Sequence, residues 1–328
     1  MSGLAGRLAL LGVSLAACAL LAGGIELLLR LRPPSALTSA PALQPYVYSP
    51  RYGWALRPAY SGQTKDGRRV TIGAHGFRGR EPSPPARGQR RVLLLGDSIT
   101  FGTGVEDAST FASRLAVHAP SLQPINLGVS GYGTDQELLL LEREGFGMDP
   151  AVVVLNVCVG NDALDNALPV YLYDGVTPKP YFSPEGAGLR LHDEHVRQRG
   201  AAWLARYLLE HSLTFDGLLR LSGRAPGAPL DHDDGEHWGP RARGVLERWP
   251  EAVTLSRRLV ERVQETCRAR GLRLLVALHP NRRAFQGEDA LLAPFLPSSP
   301  PETLDLREHY ARAAISWEEL ARDKLGHL

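Results

Sequence analysis

Cysteine is scarce in this chain: Cys18, Cys158 and Cys267 are the only three, too few and too scattered for a disulfide framework. Cys158 falls in an apolar run and Cys267 in a helical pattern, where both read as small core hydrophobes. Lysine is confined to Lys65, Lys179 and Lys324, so arginine carries nearly all the positive charge. The net charge is only +2. Basic patches such as Arg87 to Arg91 hold no interleaved aromatics, and nucleic acid is excluded as an expected partner. Spaced metal-ligand sets are missing as well. Residues 231–238 (DHDDGEHW) and His192-Asp193-Glu194-His195 do crowd histidines and acids. On polar insertions such clusters read as solvated, so neither a metal nor another cofactor is expected.

Long hydrophobic runs are also missing, with one exception. Residues 8–25, LALLGVSLAACALLAGGI, are uncharged and apolar, about the length at which a membrane helix becomes plausible. No polar face interrupts them, as a soluble amphipathic helix would require. Leu15-Ala16-Ala17-Cys18 fits a lipoprotein cleavage box, and a cleaved signal peptide is a further reading. The apolar stretch continues past Cys18 and no clear small-residue cleavage site follows, which favours an uncleaved anchor over 1–32. Arg7 and the amino terminus nearly balance Arg30 and Arg32, so charge alone does not orient the anchor.

What the chain does contain is a set of apolar strands that each end in a chemically useful turn. Residues 91–102, RVLLLGDSITFG, run a buried strand into Gly96-Asp97-Ser98. Open α/β sheets bind their ligands at the carboxyl ends of such strands. Pro124-Ile125-Asn126-Leu127 runs into Gly128, opening NLGVSGYGT, and AVVVLNVCV (151–159) runs into Gly160-Asn161-Asp162. The three turns offer a hydroxyl, a backbone N–H and a side-chain amide. Together these are one nucleophile and a set of oxyanion donors, the parts of an acyl-transfer site.

In these three ordered blocks, GDSITFG, NLGVSGYGT and GND, the chain resembles the SGNH/GDSL hydrolase family. The resemblance spans roughly 45–328 and implies Ser98 as nucleophile. It also implies an oxyanion hole formed by the Ser98 and Gly128 N–H groups and the Asn161 amide. The family carries a late Asp-x-x-His block, in which the histidine removes the serine proton and the aspartate orients it. His327, in RDKLGHL, is the expected base, with Asp323 four positions earlier instead of three. Three explanations of that spacing stay open: a one-residue variant, a different supporting acid, or a chain ending just past its base. Glu318 and Glu319 are the nearest other carboxylates. His279 follows the strand LRLLVALHP and reads equally as a substrate contact or as a polar strand end.

Strands at 91–95, 124–127, 151–157 and 272–278 alternate with helical patterns near 108–117, 134–145 and 251–270. That alternation predicts a parallel sheet covered on both faces, matching the flavodoxin-like three-layer α/β/α fold that the resemblance implies. Before it, residues 33–45 read as a Pro-rich linker and 46–90 as a small β extension with its own linker. The hydrolase domain is expected over 91–328, with an insertion at about 163–250 carrying one helix, AAWLARYLLEHSLTFDGLLRL, placed to roof the site. The expected activity is a serine esterase or O-acyl hydrolase acting on acyl esters, with acylated carbohydrate such as envelope polysaccharide or small esters as substrates. The resemblance also turns the domain outward, to the periplasm or cell surface, held to the membrane by the N-terminal helix. The alternatives are an O-acyltransferase, a lipid-directed hydrolase, and a non-catalytic glycan-binding or assembly protein with a degenerate site. No oligomeric state is expected from the sequence.

Overall fold

The computed structural model describes residues 2–31, 45–63, 67–172, 177–197, 244–245, 247–280 and 295–313, with single positions at 208, 212, 214, 218 and 285. The protein is a mixed α/β structure built on a five-stranded parallel sheet. Its strands are β5 (Arg90–Leu95), β6 (Leu122–Asn126), β7 (Val152–Cys158), β10 (Arg273–His279) and β11 (Glu302–Asp305), in the order β11-β10-β7-β5-β6. Counted along the chain, this is the 2-1-3-4-5 order of the flavodoxin-like doubly wound sheet. The register aligns Leu95 with Leu155 and Leu94 with Asn126, so the ends of β5, β6 and β7 lie side by side.

The central strands are apolar at consecutive positions because both faces are covered. Leu93, Leu95, Val153, Leu155, Val157 and Val276 face a large core shared with α4 (Thr134–Arg143) and α7 (Trp249–Arg268). Val92, Leu94, Val154 and Ala277 face a thinner cluster closed by Ala112 of α3 (Phe111–His118). In α7, Ala252, Val253, Leu255, Leu259, Val260 and Val263 make a buried stripe at helical spacing. α4 departs from that rule, since Thr134, Asp135, Gln136 and Glu137 of its first turn are buried along with its leucines.

Ahead of the sheet, the chain makes two hairpins. β1 (Tyr46–Ser49) pairs with β2 (Gly53–Leu56), and β3 (Ser61–Gln63) pairs with β4 (Arg69–Thr71), both antiparallel. Tyr52, Trp54, Leu56, Val70 and Ile72 join the large core. The buried Arg78 side chain ties the extension down, with Nε donating to Asp107 Oδ1 at 3.0 Å and the guanidinium 4.6 Å over the Phe101 ring. Within the expected insertion, a short helix α5 (Asp162–Ala167) leaves β7 directly, and a hairpin of β8 (Tyr181–Glu185) and β9 (Gly188–His192) and a short helix α6 (Glu194–Arg197) follow. The residues of the expected roof helix lie largely outside the described ones.

At the amino terminus, α1 (Ser2–Arg30) contains one span, Leu10–Leu28, long and apolar enough to cross a membrane. A signal sequence shares that length and composition.

Candidate active site

Ser98 enters at the carboxyl end of β5, where β6 and β7 flank it on either side. This is the position at which the strand order reverses, the usual ligand crevice of a doubly wound sheet. The turn is possible because residue 96 is glycine. A Cβ there would fall 2.0 Å from Thr100 Oγ1 and 3.0 Å from Asn156 Cβ. Ser98 then opens a four-residue turn of helix, α2 (Ser98–Phe101), and is only 8% exposed. Asp97 Oδ1 accepts from the Ile99 N–H at 3.0 Å, and the Ser98 carbonyl accepts from Gly102 and Thr103, each at 3.0 Å. Ser98 is thus held by its own loop on both sides.

Gly128 follows β6 and packs directly against α2. A Cβ at this position would lie 2.3 Å from the Phe101 nitrogen, so only glycine allows the approach. Its N–H donates to Asn126 Oδ1 at 2.9 Å, while Asn126 Nδ2 donates to the Thr100 carbonyl at 2.7 Å. The expected oxyanion donor therefore already has an acceptor within the fold. In the same turn, Gly131 takes the left-handed conformation (φ +78°), and among the described residues no acceptor meets its N–H.

Asn161 follows β7 and caps α5, its carbonyl accepting from Leu164 and Asp165. Its side-chain Nδ2 donates to Asp97 Oδ2 at 3.2 Å and to Asp165 Oδ2 at 2.9 Å. The first and third sequence blocks are thereby in direct contact, through the residue just before Ser98. Both amide hydrogens are taken by carboxyl groups.

Behind this amide lies a buried acidic cluster. Asp97 is 3% exposed, and Glu137, Asp162 and Asp165 are 0% exposed. Asp162 Oδ2 accepts from the Cys158 N–H at 3.0 Å. Among the described residues Glu137 Oε1 and Oε2, Asp162 Oδ1 and Asp165 Oδ1 have no hydrogen-bond partner. Burial raises the pKa of each of Glu137, Asp162 and Asp165, and the neighbouring carboxylates add to it. For Asp165 the result is about 8. Asp135, at the start of α4, is also raised by burial but is opposed by Lys179, whose Nζ donates to Asp135 Oδ2. Burial likewise pushes the Cys158 thiol well above its usual range, so it is no thiolate nucleophile at neutral pH.

His279 ends β10 with Nε2 3.1 Å from Asn156 Oδ1. Asn156 Nδ2 in turn donates to the Leu95 carbonyl at 2.8 Å. Desolvation lowers the imidazole to about 4, which keeps it neutral at ordinary pH. Of its two sequence readings, this geometry fits the polar strand end tied to its neighbour. The expected base His327 and its partner Asp323, with Glu318 and Glu319, lie outside the described residues.

Sequence reasoning singled out Ser98, Gly128 and Asn161 but passed over Asp165, Glu137, Asn126 and Asn156. A signal existed for Asp165: it stands four residues after Asn161 in GNDALDN, one helical turn away and on the same side. Nothing in the sequence marks Glu137 as buried, because an acid in the first turn of a helix ordinarily reads as solvated.

No family model matches the chain, and no curated protein does. Among solved structures it is similar to a mutant of the esterase AlinE4, at 16% identity over 65% of this chain and 69% of that one, with a TM-score of 0.27. It is also similar to TesA, at 15% identity over 63% of this chain and 68% of that one, with a TM-score of 0.29. A GDSL-like lipase from Bacteroides thetaiotaomicron aligns at 13% identity over 71% of this chain and 88% of that one, with a TM-score of 0.26. At such scores the likeness carries no weight for function, which has to come from this chain's own residues.

Proposed function

We propose that this protein is a serine esterase of the SGNH/GDSL kind. Ser98 Oγ attacks an ester carbonyl while His327, oriented by Asp323, accepts the hydroxyl proton. The carbonyl oxygen becomes an oxyanion, met by the Ser98 N–H, the Gly128 N–H and the Asn161 amide. Collapse expels the alcohol, which takes the proton back from His327, and leaves an acyl-serine. Water, or an acceptor hydroxyl, then releases the acyl group. For Gly128 and Asn161 to serve, each must exchange its present acceptor for the substrate oxygen. Gly131, whose N–H is unmatched among the described residues, is a further donor in the same turn.

One observation carries this reading: the Asp97–Asn161 hydrogen bond, which joins the nucleophile loop to the amide donor at the reversal point of the sheet. The proposed substrates are O-acyl groups on carbohydrate or small esters. The proposed location is outside the cytoplasm, with Leu10–Leu28 as the anchor. A second reading, a glycan-binding protein without turnover, draws on the internal acceptors already occupying Gly128 and Asn161.

A fluorophosphonate probe separates the two. Labelling of the folded wild type that is lost in both Ser98→Ala and His327→Ala supports the esterase and its base. No labelling of folded wild type overturns it in favour of the binding protein. Loss with Ser98→Ala alone keeps the serine and removes His327 as its base.

A further inference from the structure

The Asn161 amide has two hydrogens, and carboxyl oxygens of Asp97 and Asp165 hold both. An amide so held has no hydrogen left for a substrate oxyanion. One of the two bonds must yield during turnover, and which one yields depends on charge. A hydrogen bond to an ionised carboxylate is roughly twice as strong as one to a neutral acid.

The surroundings of Asp165 argue that its carboxyl carries a proton at rest. It is 0% exposed, and among the described residues its Oδ1 has no hydrogen-bond partner and the Asn161 amide is the only side-chain donor on Oδ2. Facing it are Asp97 from the nucleophile loop, Asp135 and Glu137 from α4, and Asp162 from its own helix. Cys158 of β7 stands in the same cluster, its thiol protonated. Among the described residues the cation facing it is Lys179, from the segment leading into β8, and it is bonded to Asp135. From α7, the contact on α5 is a neutral one, Asn166 Nδ2 donating to the Ser256 hydroxyl at 2.9 Å. Among the described residues no three of these ligand types converge to hold a metal ion. Protons are therefore the means by which this cluster sheds charge.

We propose that Asp165 is a positioning residue that sets whether the Asn161 amide is released to the substrate. With Asp165 neutral, one Asn161 N–H exchanges from Asp165 Oδ2 to the developing oxyanion. With Asp165 ionised, the carboxylate keeps that hydrogen and the oxyanion loses a donor. No covalent step is involved, only a proton on or off one buried carboxyl. This inference rests on the esterase reading, since it gives the released amide a task. The value of about 8 for Asp165 places the change just above neutrality. The sign follows from the direction: a raised carboxyl is neutral below its pKa, so activity is high below pH 8 and falls above it.

The test is the pH profile of kcat on a soluble acetyl ester, in wild type and in Asp165→Asn. The substituted amide keeps the size of the neutral acid and cannot ionise. In wild type, kcat is expected to fall about tenfold between pH 7 and pH 9.5, the factor set by strengthening one hydrogen bond. In Asp165→Asn the ratio of the two rates drops to about one. A wild type with no falling limb overturns the proposal, as does an Asp165→Asn variant that keeps the limb. Circular dichroism at both pH values guards against unfolding as the cause. A second readout needs no activity and no Asp165 variant. In Ser98→Ala protein labelled at asparagine nitrogen, the Asn161 side-chain amide signals should titrate with a midpoint near 8. Flat signals overturn the coupling even if the enzyme is active. A titrating amide in a protein that fluorophosphonate does not label keeps the coupling and sinks the esterase reading alone.

Discussion

The two faces of the sheet are built on opposite plans. The face toward α4 and α7 has a large apolar core and, at its carboxyl edge, buries Glu137, Asp162 and Asp165 around the Asn161 amide. The face toward α3 has a small apolar cluster and ends in neutral groups: Asn126, Asn156 and the uncharged His279. On the second face Asn126 and Asn156 bond to backbone or to a neighbour at both ends of the amide, as buried polar groups usually do. Of the three side chains, only His279 Nδ1 has no partner among the described residues. On the first face, four carboxyl oxygens lack a donor. Deep hydrophobic cover and buried acid groups go together here. A carboxyl without donors persists only where the surrounding core is large enough to offset its cost.

The sharpest tests of this contrast begin at Ser98, the proposed nucleophile. Ser98→Ala should abolish fluorophosphonate labelling and cut ester turnover about a million-fold, and residual turnover near wild type would reject the site. Next comes the amide on the acidic face. Asn161→Ala should cost about a hundred- to a thousand-fold in kcat, whereas Asn156→Ala on the neutral face should act on stability, by about 1–3 kcal/mol, because the buried His279 Nε2 loses its Asn156 partner. If denaturant melts and kinetics show both variants equally inactive and equally unstable, the two faces are not functionally distinct. Third, Leu155→Ala in the large core should cost about 2–5 kcal/mol. Val154→Ala on the thin face should cost less, as read from urea midpoints.

The finest test is pH. The folded state binds protons at Glu137, Asp162 and Asp165 that the unfolded chain gives up near pH 4. Where the native state binds more protons, stability falls as pH rises. Each such proton contributes about 1.4 kcal/mol per pH unit between the two pKa values. His279, lowered to about 4, works the other way, but only between that value and its ordinary 6.5. Urea unfolding from pH 6.5 to 9 should therefore show decreasing stability, and Glu137→Gln should flatten the slope. A stability that rises over this range would mean that the acids are not buried as described.

Much of the frame is readable from residues alone. β5, β7 and β10 are runs of branched and long aliphatics, and their boundaries fall within a residue or two of the expected ones. β11 is different: Glu302-Thr303-Leu304-Asp305 is a short edge strand, exposed or half-buried throughout, with no apolar run to announce it. α5 was similarly hidden, as six residues rich in Asp and Asn that ordinarily mark turns. At the site, Ser98, Gly128 and Asn161 were legible because each follows an apolar run. Asp165 and Glu137 were not, because burial of an acid depends on what packs over it from elsewhere in the chain. Asp323 and His327 stay where the sequence left them, outside the described residues.

The three cysteines end up in unequal chemical settings. Cys267 is buried with its thiol pushed up to about 11, and burial among carboxyl groups pushes the Cys158 thiol well above its ordinary range. Maleimide consumes thiolate, so at neutral pH both are slow to react. Cys18, exposed along the apolar stretch of α1, becomes a one-site topology reporter already present in the natural sequence. A water-soluble maleimide would leave Cys18 untouched while lipid surrounds it and modify it where the segment lies in water. The scarcity of cysteine thereby gives the wild-type chain its own gauge of membrane insertion, with no engineered residue.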